Sequence, residues 1–512
     1  MESAQVRSSM KRWVSLRSAP IIERDVEGVP SVSRQDCLTS SGKMVSLSLA
    51  PCHIHEPFAD PVESCHPWFA RAEACETERM TPGPQLSDAS NTTPLTPETE
   101  AQVAQFAHTD ILVGIPSFNN VETIGHVVKA VSAGLAKYFP EARAVLVNSD
   151  GGSTDGTQQV VTQAVVDLKT LFIGDQQSSL HKIITPYHGI PGKGSAFRTI
   201  FEIARRLKAK ACAVVDSDLR SITPEWIELL VSPVLEQGFD YVAPYYLRHK
   251  YDGTITNSIV YPLTRTLYGH RIRQPIGGDF GFSGQLAQHY LDKHVWESEV
   301  AKFGIDIWMT TEAIASGARV CQSFLGAKIH NPKDPAADLS AMLVQVLGAV
   351  FALMEDHYAV WGKTDGSNAV PLFGFQYEVG VEPVNVNVDR MISTFRQGLS
   401  DLGTIWDQIL APGTRQSLRP LGTCSAQDFR IADSLWARVV YDAAVAYRNR
   451  VLPLDHVLKA FTPLYLGRTA SFVLDTQGLT SSEAEGRIEA LCQAFEKDKS
   501  YLVARWNEPH AS

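Results

Sequence analysis

From Asp110 onward, short apolar runs alternate with amphipathic stretches. Ile111–Pro116 (ILVGIP), Ala144–Val147 and Ala211–Val215 are continuous apolar runs of strand length, and Lys182–Thr185 is a further short strand. Between them apolar residues recur at helical spacing. Ile124, Val127, Val128, Val131 and Leu135 follow Asn119 and Asn120, either of which can cap a helix. Val160, Val161, Ala164 and Val165 form a second stripe. Ile200, Phe201, Ile203, Ala204 and Leu207 form a third, in a helix opened by Pro191–Gly194 (PGKG). This alternation predicts an α/β domain built on a mostly parallel sheet. From about residue 335 the pattern becomes helical. Leu339, Met342, Leu343, Val346, Leu347, Val350, Phe351 and Met354 trace one broad face, and further helical patterns cover Met391–Leu410, Ala426–Tyr447 and Ser482–Arg505.

The first 105 residues show little periodicity and are rich in Ser, Pro, Thr and Glu; Ser87–Glu100 (SDASNTTPLTPETE) reads as a linker. The first twenty residues are basic and Ser-rich, with Glu2 their only acid, and faintly resemble an organelle transit segment. The expectation is a disordered extension over 1–105. An α/β domain over 106–335 follows, then a helical region over 336–512 that closes a pocket of that domain or forms a homodimer.

Composition narrows the class. Of 512 residues, 44% are hydrophobic and 20% charged, ordinary for a protein with a large core. A net charge of −10 argues against nucleic acid as the main partner. The longest apolar candidate, Leu343–Met354, falls short of the roughly 20 residues of a membrane span. Cys212, Cys321, Cys424 and Cys492 are widely scattered, as reduced thiols are, and a cytoplasmic location is expected. Cys37, Cys52, Cys65 and Cys75 lie among His53, His55 and His66, which makes a zinc site conceivable, although the spacing matches no standard pattern.

Ligands of open α/β sheets bind outside the carboxyl ends of the strands. The polar loops after Ile115, Val147 and Val215 fall at such ends. In VVDSDLR a buried run ends in Asp216 and Asp218, flanking Ser217. Two adjacent carboxylates repel, and a divalent cation with a taste for oxygen ligands would relieve them. The plain alternative is a solvated turn with Asp218 as a cap. In Asp150–Thr157 (DGGSTDGT) the glycines permit close approach to a ligand; Asp150 can accept hydrogen bonds from a base or ribose, and Asp155 caps the following helix. Lys193, between two glycines at a helix start, suits a phosphate; the alternative is an exposed lysine in a flexible loop.

Four pieces occur in order: PSFN at Pro116–Asn119, VNSDGGSTDGT at Val147–Thr157, GKG at Gly192–Gly194 and DSD at Asp216–Asp218. Together they resemble the nucleotide-sugar-binding half of GT-A glycosyltransferases of the family-2 type, over about residues 110–335. The resemblance implies a GT-A fold in which Pro116, Ser117, Phe118, Asn120, Ser149, Asp150, Lys193, Asp216 and Ser217 bind the nucleotide sugar. Asn120 stands where those proteins commonly carry a glutamate. Three later pieces, QPIGGDF at Gln274–Phe280, FGIDIW at Phe303–Trp308 and KIHNP at Lys328–Pro332, look like the retaining glucosyl-3-phosphoglycerate synthases and the related glucosylglycerate and mannosylglycerate synthases. By that resemblance Asp218 and His330 bind Mg²⁺ or Mn²⁺. Gly277, Gly278 and Asp279 line the sugar and acceptor pocket, and Asp306 and Lys193 act at the reacting centre. Asp279 and Asp306 replace the family's glutamates with a shorter acid. The phosphoglycerate enzymes tend to place an arginine after G-G-[ED]-[YF]. Here the run is GFSG, with Arg271, Arg273 and Lys333 as nearby substitutes, which favours free glycerate or a similar hydroxy acid as acceptor.

The expected protein is a metal-dependent retaining transferase that moves a hexose, glucose by this resemblance, from a nucleoside diphosphate to a small acidic acceptor. One alternative is an inverting family-2 transferase acting on a lipid or glycan. In it Asp306, eleven residues before Gly317, is the general base. A nucleotidyltransferase would carry a G-x-G-x-R loop where PSFN stands, and a nucleotide-sugar sensor would use the helical region to bind a partner. The only Arg-Trp pairs are Arg12-Trp13 and Arg505-Trp506, so the Q-x-x-R-W motif of processive polysaccharide synthases is missing.

Overall fold

The structure is a computed structural model that describes residues 93–171, 181–187, 192–302, 304–330, 340–377 and 380–508. The transit-like segment, most of the extension expected over 1–105, the zinc reading of the early cysteines, Phe303 and Lys333 lie outside these residues.

Eight strands form one sheet: β1 Ile111–Ser117, β2 Ala144–Asp150, β3 His181–Pro186, β4 Ala211–Val214, β5 Tyr241–Leu247, β6 Phe280–Ser283, β7 Val320–Ala327 and β8 Leu372–Phe373, in the order β3-β2-β1-β4-β6-β5-β7-β8. Every neighbouring pair is parallel except those β6 makes with β4 and β5. The helices α1 Pro97–Val103, α2 Ile124–Tyr138, α3 Thr157–Leu171, α4 Lys193–Arg206, α5 Glu225–Gln237, α6 Tyr261–Tyr268, α7 Gly284–Leu291, α8 Ile305–Ala315 and α9 Ser340–Asp356 connect or follow the strands. β1, β2, β4 and β7 are buried along their whole length, as strands covered on both faces require. The two-residue repeat divides β1 between two cores. Leu112 packs with Phe197, Ile200 and Phe201 of α4. Ile111, Val113 and Ile115 pack with Val127 and Val131 of α2 and Trp226 of α5.

Two helix starts differ from expectation. Asn119 and Asn120 do not cap α2, which begins at Ile124 after Thr123. Asn119 adopts a left-handed φ of 52° and its side chain accepts the Thr154 N–H, while the Asn120 side chain accepts the Phe118 N–H. Both amides are spent tying loops together. Order also begins before Asp110. The Thr96 hydroxyl accepts the Thr99 N–H, Pro97 opens the first turn of α1, and Glu100 pairs with Arg206 of α4 at 2.9 Å. The apparent linker therefore ends inside a capped helix.

The helical region continues with α10 Tyr358–Trp361, α11 Val388–Asp401, α12 Gly403–Ile409, α13 Pro412–Leu418, α14 Asp433–Arg448, α15 Leu454–Thr476, α16 Ser481–Lys497 and α17 Lys499–Trp506. The predicted stretch Met391–Leu410 is two helices, and so is Ser482–Arg505; Ala426–Tyr447 becomes helical only at Asp433. The 23-residue α15 left no periodic trace because, beyond its exposed Asp455, His456 and Lys459, it is buried around most of its circumference, through Phe461, Leu464, Tyr465, Leu466 and Phe472 among others. Phe395, Trp406, Trp436 and Phe461 share one core with Phe197 and Phe282 of the sheet domain. Arg265 of α6, 1% exposed, pairs with Glu489 and Glu496 of α16, and Arg273 pairs with Glu485. The four described cysteines are free, and among the described residues no helix is long and apolar enough to cross a membrane.

Candidate active site

The parallel strands deliver their carboxyl ends to one edge of the sheet. β6 runs the opposite way, so the residues that enter it, Gly277–Asp279, arrive at the same edge. That is why QPIGGDF precedes a strand while PSFN, DGGSTDGT and DSD follow one. The loops knit together there. Ser217 Oγ donates to Asn120 Oδ1 at 2.8 Å, Thr123 Oγ1 to the Ser217 carbonyl at 2.7 Å, and the Asn119 N–H to Ser153 Oγ at 2.8 Å.

Several residues expected at the nucleotide also hold the edge loops together. The Asp150 carboxylate is fully buried and accepts from Ser117 Oγ, the N–H groups of Gly152 and Ser153, Ser153 Oγ and Gln158 Nε2. Its acceptor sites are consumed in folding the glycine-rich loop. Ser149 is buried on β2 with its hydroxyl unpartnered. Pro116 and Ser117 end β1, and the Phe118 N–H is held by Asn120. Asp155 accepts the Thr157 N–H at the start of α3, the capping role expected of it. The GKG segment opens α4, but its glycine N–H groups are engaged inside the protein, Gly192 with the Tyr187 hydroxyl and Gly194 with the Lys302 carbonyl. Only the Lys193 side chain reaches the edge.

There it meets the acids. Lys193 Nζ lies 2.7 Å from Asp216 Oδ1 and 3.0 Å from Asp306 Oδ1, at the first turn of α8. Lys328 Nζ, just past β7, lies 2.7 Å from Asp216 Oδ2 and 2.8 Å from Asp279 Oδ2, and donates to the Gly277 carbonyl at 2.7 Å. Asp279 Oδ1 accepts the Asp216 N–H, and its Oδ2 accepts the Tyr246 hydroxyl. Gly278 has a left-handed φ of 87°, and a Cβ there would run into the Asp216 carboxylate. Neither Lys328 nor Tyr246 was singled out from sequence. Tyr246 reads as core in an apolar strand, whereas Lys328 had a signal, a lysine closing the apolar run before His330.

Burial would raise the Asp216 carboxyl, but the ammoniums of Lys193 and Lys328 outweigh it and hold Asp216 far below the usual carboxylate range. For Asp279 and Asp306 burial prevails over Lys328 and Lys193, and both carboxyls are shifted up. Burial also pushes the Tyr246 phenol well up, so it stays a donor to Asp279. The repulsion expected between Asp216 and Asp218 is therefore relieved at Asp216 by two lysines.

Asp218 stands apart. It is half-buried in the turn after β4, and none of the described residues offers it a hydrogen bond or an ion pair. The Lys328–His330 stretch runs beside this turn: the Arg220 N–H donates to the Ile329 carbonyl and the Ile329 N–H to Ser221 Oγ, both at 2.9 Å. His330 Nε2 lies 4.0 Å from Asp252 Oδ2. Among the described residues no group of three or more His, Cys, Asp or Glu is arranged to hold a metal. An unpartnered carboxylate and an imidazole on adjoining stretches nonetheless suit a Mg²⁺- or Mn²⁺-type ion that leaves positions for phosphate and water. A groove of about 630 Å³ on the helical region, walled by Thr364 and Lys499, contains none of these residues.

The helix that bears Asp306 is clamped two turns later. Glu312 of α8 lies 2.8 Å from His289, 2.6 Å from Lys293 and 3.4 Å from His357. Burial would raise its carboxyl, but His357, Lys293 and His289 together lower it from 4.5 to about 2. A depressed carboxyl stabilises the fold above its unfolded value, and the contribution is lost as pH falls from about 4.5 towards 2. Glu312→Gln should cost about 1–3 kcal/mol at neutral pH. In urea unfolding at stepped pH the gap to the parent should close across that window; a gap independent of pH would overturn the assignment.

Residues 112–294 match the family model described as Glycosyl transferase family 2. No curated protein sequence matches the chain. Among solved structures it is similar to Mycobacterium tuberculosis glucosyl-3-phosphoglycerate synthase in complex with Mn²⁺, UDP and glucosyl-3-phosphoglycerate, at 20% identity over 55% of this chain and 88% of that one, with a TM-score of 0.36. The same synthase with Mg²⁺ and UDP is similar at 20% identity over 52% and 84%, with a TM-score of 0.36. The family match begins in β1 and ends just past α7, taking in the edge loops up to Asp279. Over residues 112–294 the chain is thus similar to glycosyl transferase family 2, and its mostly parallel sheet is of the GT-A type.

Proposed function

We propose that the protein is a retaining transferase that moves a hexose, glucose by family resemblance, from a nucleoside diphosphate to a small hydroxy acid such as glycerate or 3-phosphoglycerate. The observation that carries the reading is Lys193, whose ammonium lies between Asp216 and Asp306 at the carboxyl edge of the sheet. A positive charge between a buried anion and an acid shifted towards its neutral form is a place for a leaving diphosphate next to a group that can hold the acceptor hydroxyl. Asp306 orients that hydroxyl, and Gly277, Gly278 and Asp279 wall the sugar. Asp218 and His330 would hold Mg²⁺ or Mn²⁺, which when bound adds positive charge at the diphosphate. Asp150, Asn120 and Ser217 act on the nucleotide through the loops they shape.

The test is a panel of uridine, guanosine and adenosine diphosphate sugars with glycerate and 3-phosphoglycerate, with Mg²⁺, with Mn²⁺ and with chelator. Transfer that needs a divalent ion and disappears in Asp218→Ala is expected, with an α-linked product by NMR from an α-linked donor. A β-linked product would replace this reading with the inverting one.

A further inference from the structure

We infer that Arg248 is the residue that recognises the anionic group of the acceptor. The inference rests on the transferase reading above and names what the acceptor pocket selects. In this chain the arginine that phosphoglycerate enzymes tend to carry after G-G-[ED]-[YF] has no place. Gly281–Ser283 lie in β6, Phe282 is fully buried, and a Cβ at Gly281 would run into the Leu230 carbonyl.

Of the expected substitutes, Lys333 lies outside the described residues; Arg271, Arg273 and other nearby cations are committed elsewhere. Arg273 is buried against Glu485 and Asn257, and Arg271 donates to Ser367 Oγ. Lys250 Nζ donates to the carbonyls of Thr476, Gln477 and Leu479. Arg220 faces Glu382 at 3.3 Å.

Arg248 differs. It follows β5 directly, at the same edge as Asp279 and Lys328. Its guanidinium carbon lies 5.4 Å from the centre of the Tyr246 ring, which Lys328 Nζ also approaches, at 5.2 Å, and whose hydroxyl donates to Asp279. Arg248 Nε is buried with no hydrogen-bond partner. The one carboxylate within ion-pair reach among the described residues is Asp252, at 3.6 Å, too long for a hydrogen bond. The side chain is 15% exposed, so an incoming group can reach it. A guanidinium presents parallel N–H donors that match a carboxylate or a phosphate, and a buried unpaired N–H is costly until such an acceptor arrives. The neighbouring cluster holds three carboxylates against two ammoniums, so an acidic acceptor needs one more cation to enter; Arg248 supplies it.

Binding of glycerate, 3-phosphoglycerate and uncharged glycerol to the full chain, measured by calorimetry or ligand-observed NMR for the parent, Arg248→Met and Arg248→Lys, tests this. Arg248→Met should weaken one or both acids about 10- to 100-fold, with Arg248→Lys in between and glycerol little changed. A loss confined to 3-phosphoglycerate assigns the contact to phosphate, and a loss for both assigns it to carboxylate. Equal affinity in parent and both variants, or an equal loss for glycerol, would overturn the inference. If Arg248→Met does not fold, Arg248→Lys carries the comparison. Transfer only to an uncharged acceptor would sink this inference and leave the transferase standing. Arg248-dependent acid binding without turnover of any donor would do the reverse.

Discussion

Replacing Lys328 with methionine should cost the folded protein about 3–5 kcal/mol and abolish sugar transfer, the largest effect of any single change at the site. Lys328 is 4% exposed and bridges Asp216 and Asp279, so its removal leaves Asp279 buried without its cation and Asp216 with one of two. The penalty has an escape. Asp279 is already shifted up by burial, and without Lys328 it takes a proton more readily. The stability gap between variant and parent should therefore be smaller at pH 5 than at pH 8. The double variant Lys328→Met with Asp279→Asn should regain a large part of the loss, since the amide needs no counter-charge. Urea unfolding at both pH values tests this, and a pH-independent gap that the double variant does not narrow would rule it out.

Asp306→Asn should lower kcat by about 10²–10⁴-fold while leaving the unfolding midpoint close to the parent's. The asparagine keeps the shape at the first turn of α8 and removes a carboxylate that burial already disfavours in its charged form. What it takes away is the anionic partner 3.0 Å from Lys193 and the acceptor for a substrate hydroxyl. The donor KM should move far less than kcat, because Lys193 keeps Asp216. A kcat within about threefold of the parent would remove Asp306 from the reacting centre.

These two residues show what a linear reading can and cannot find. Asp306 was legible because a family motif surrounds it. Lys328 stood inside a motif whose histidine drew the attention, yet its partners, Asp216 and Asp279, come from strands far apart in the chain. Arg271 and Arg273 pointed towards the acceptor by their nearness in sequence, but Arg273 is spent on Glu485 of α16. The asparagines expected to cap α2 and Asp150 share one trait: short polar side chains in glycine-rich loops satisfy the groups around them first.

The alternating strands and helices, the loops that end them and the helical second half are all legible along the chain, because periodicity and turn chemistry are local. Motifs in a recognisable order also mark Lys193, Asp216, Asp279 and Asp306 as candidates for one site. The remainder depends on how the strands pair. The antiparallel insertion of β6 carries Gly277–Asp279 to the edge where the parallel strands end, and pairing there gives Asp216 two lysines instead of a second carboxylate. Which charges face each other depends on strand order, and strand order is set by the packing of the whole core, a quantity no single stretch of chain contains.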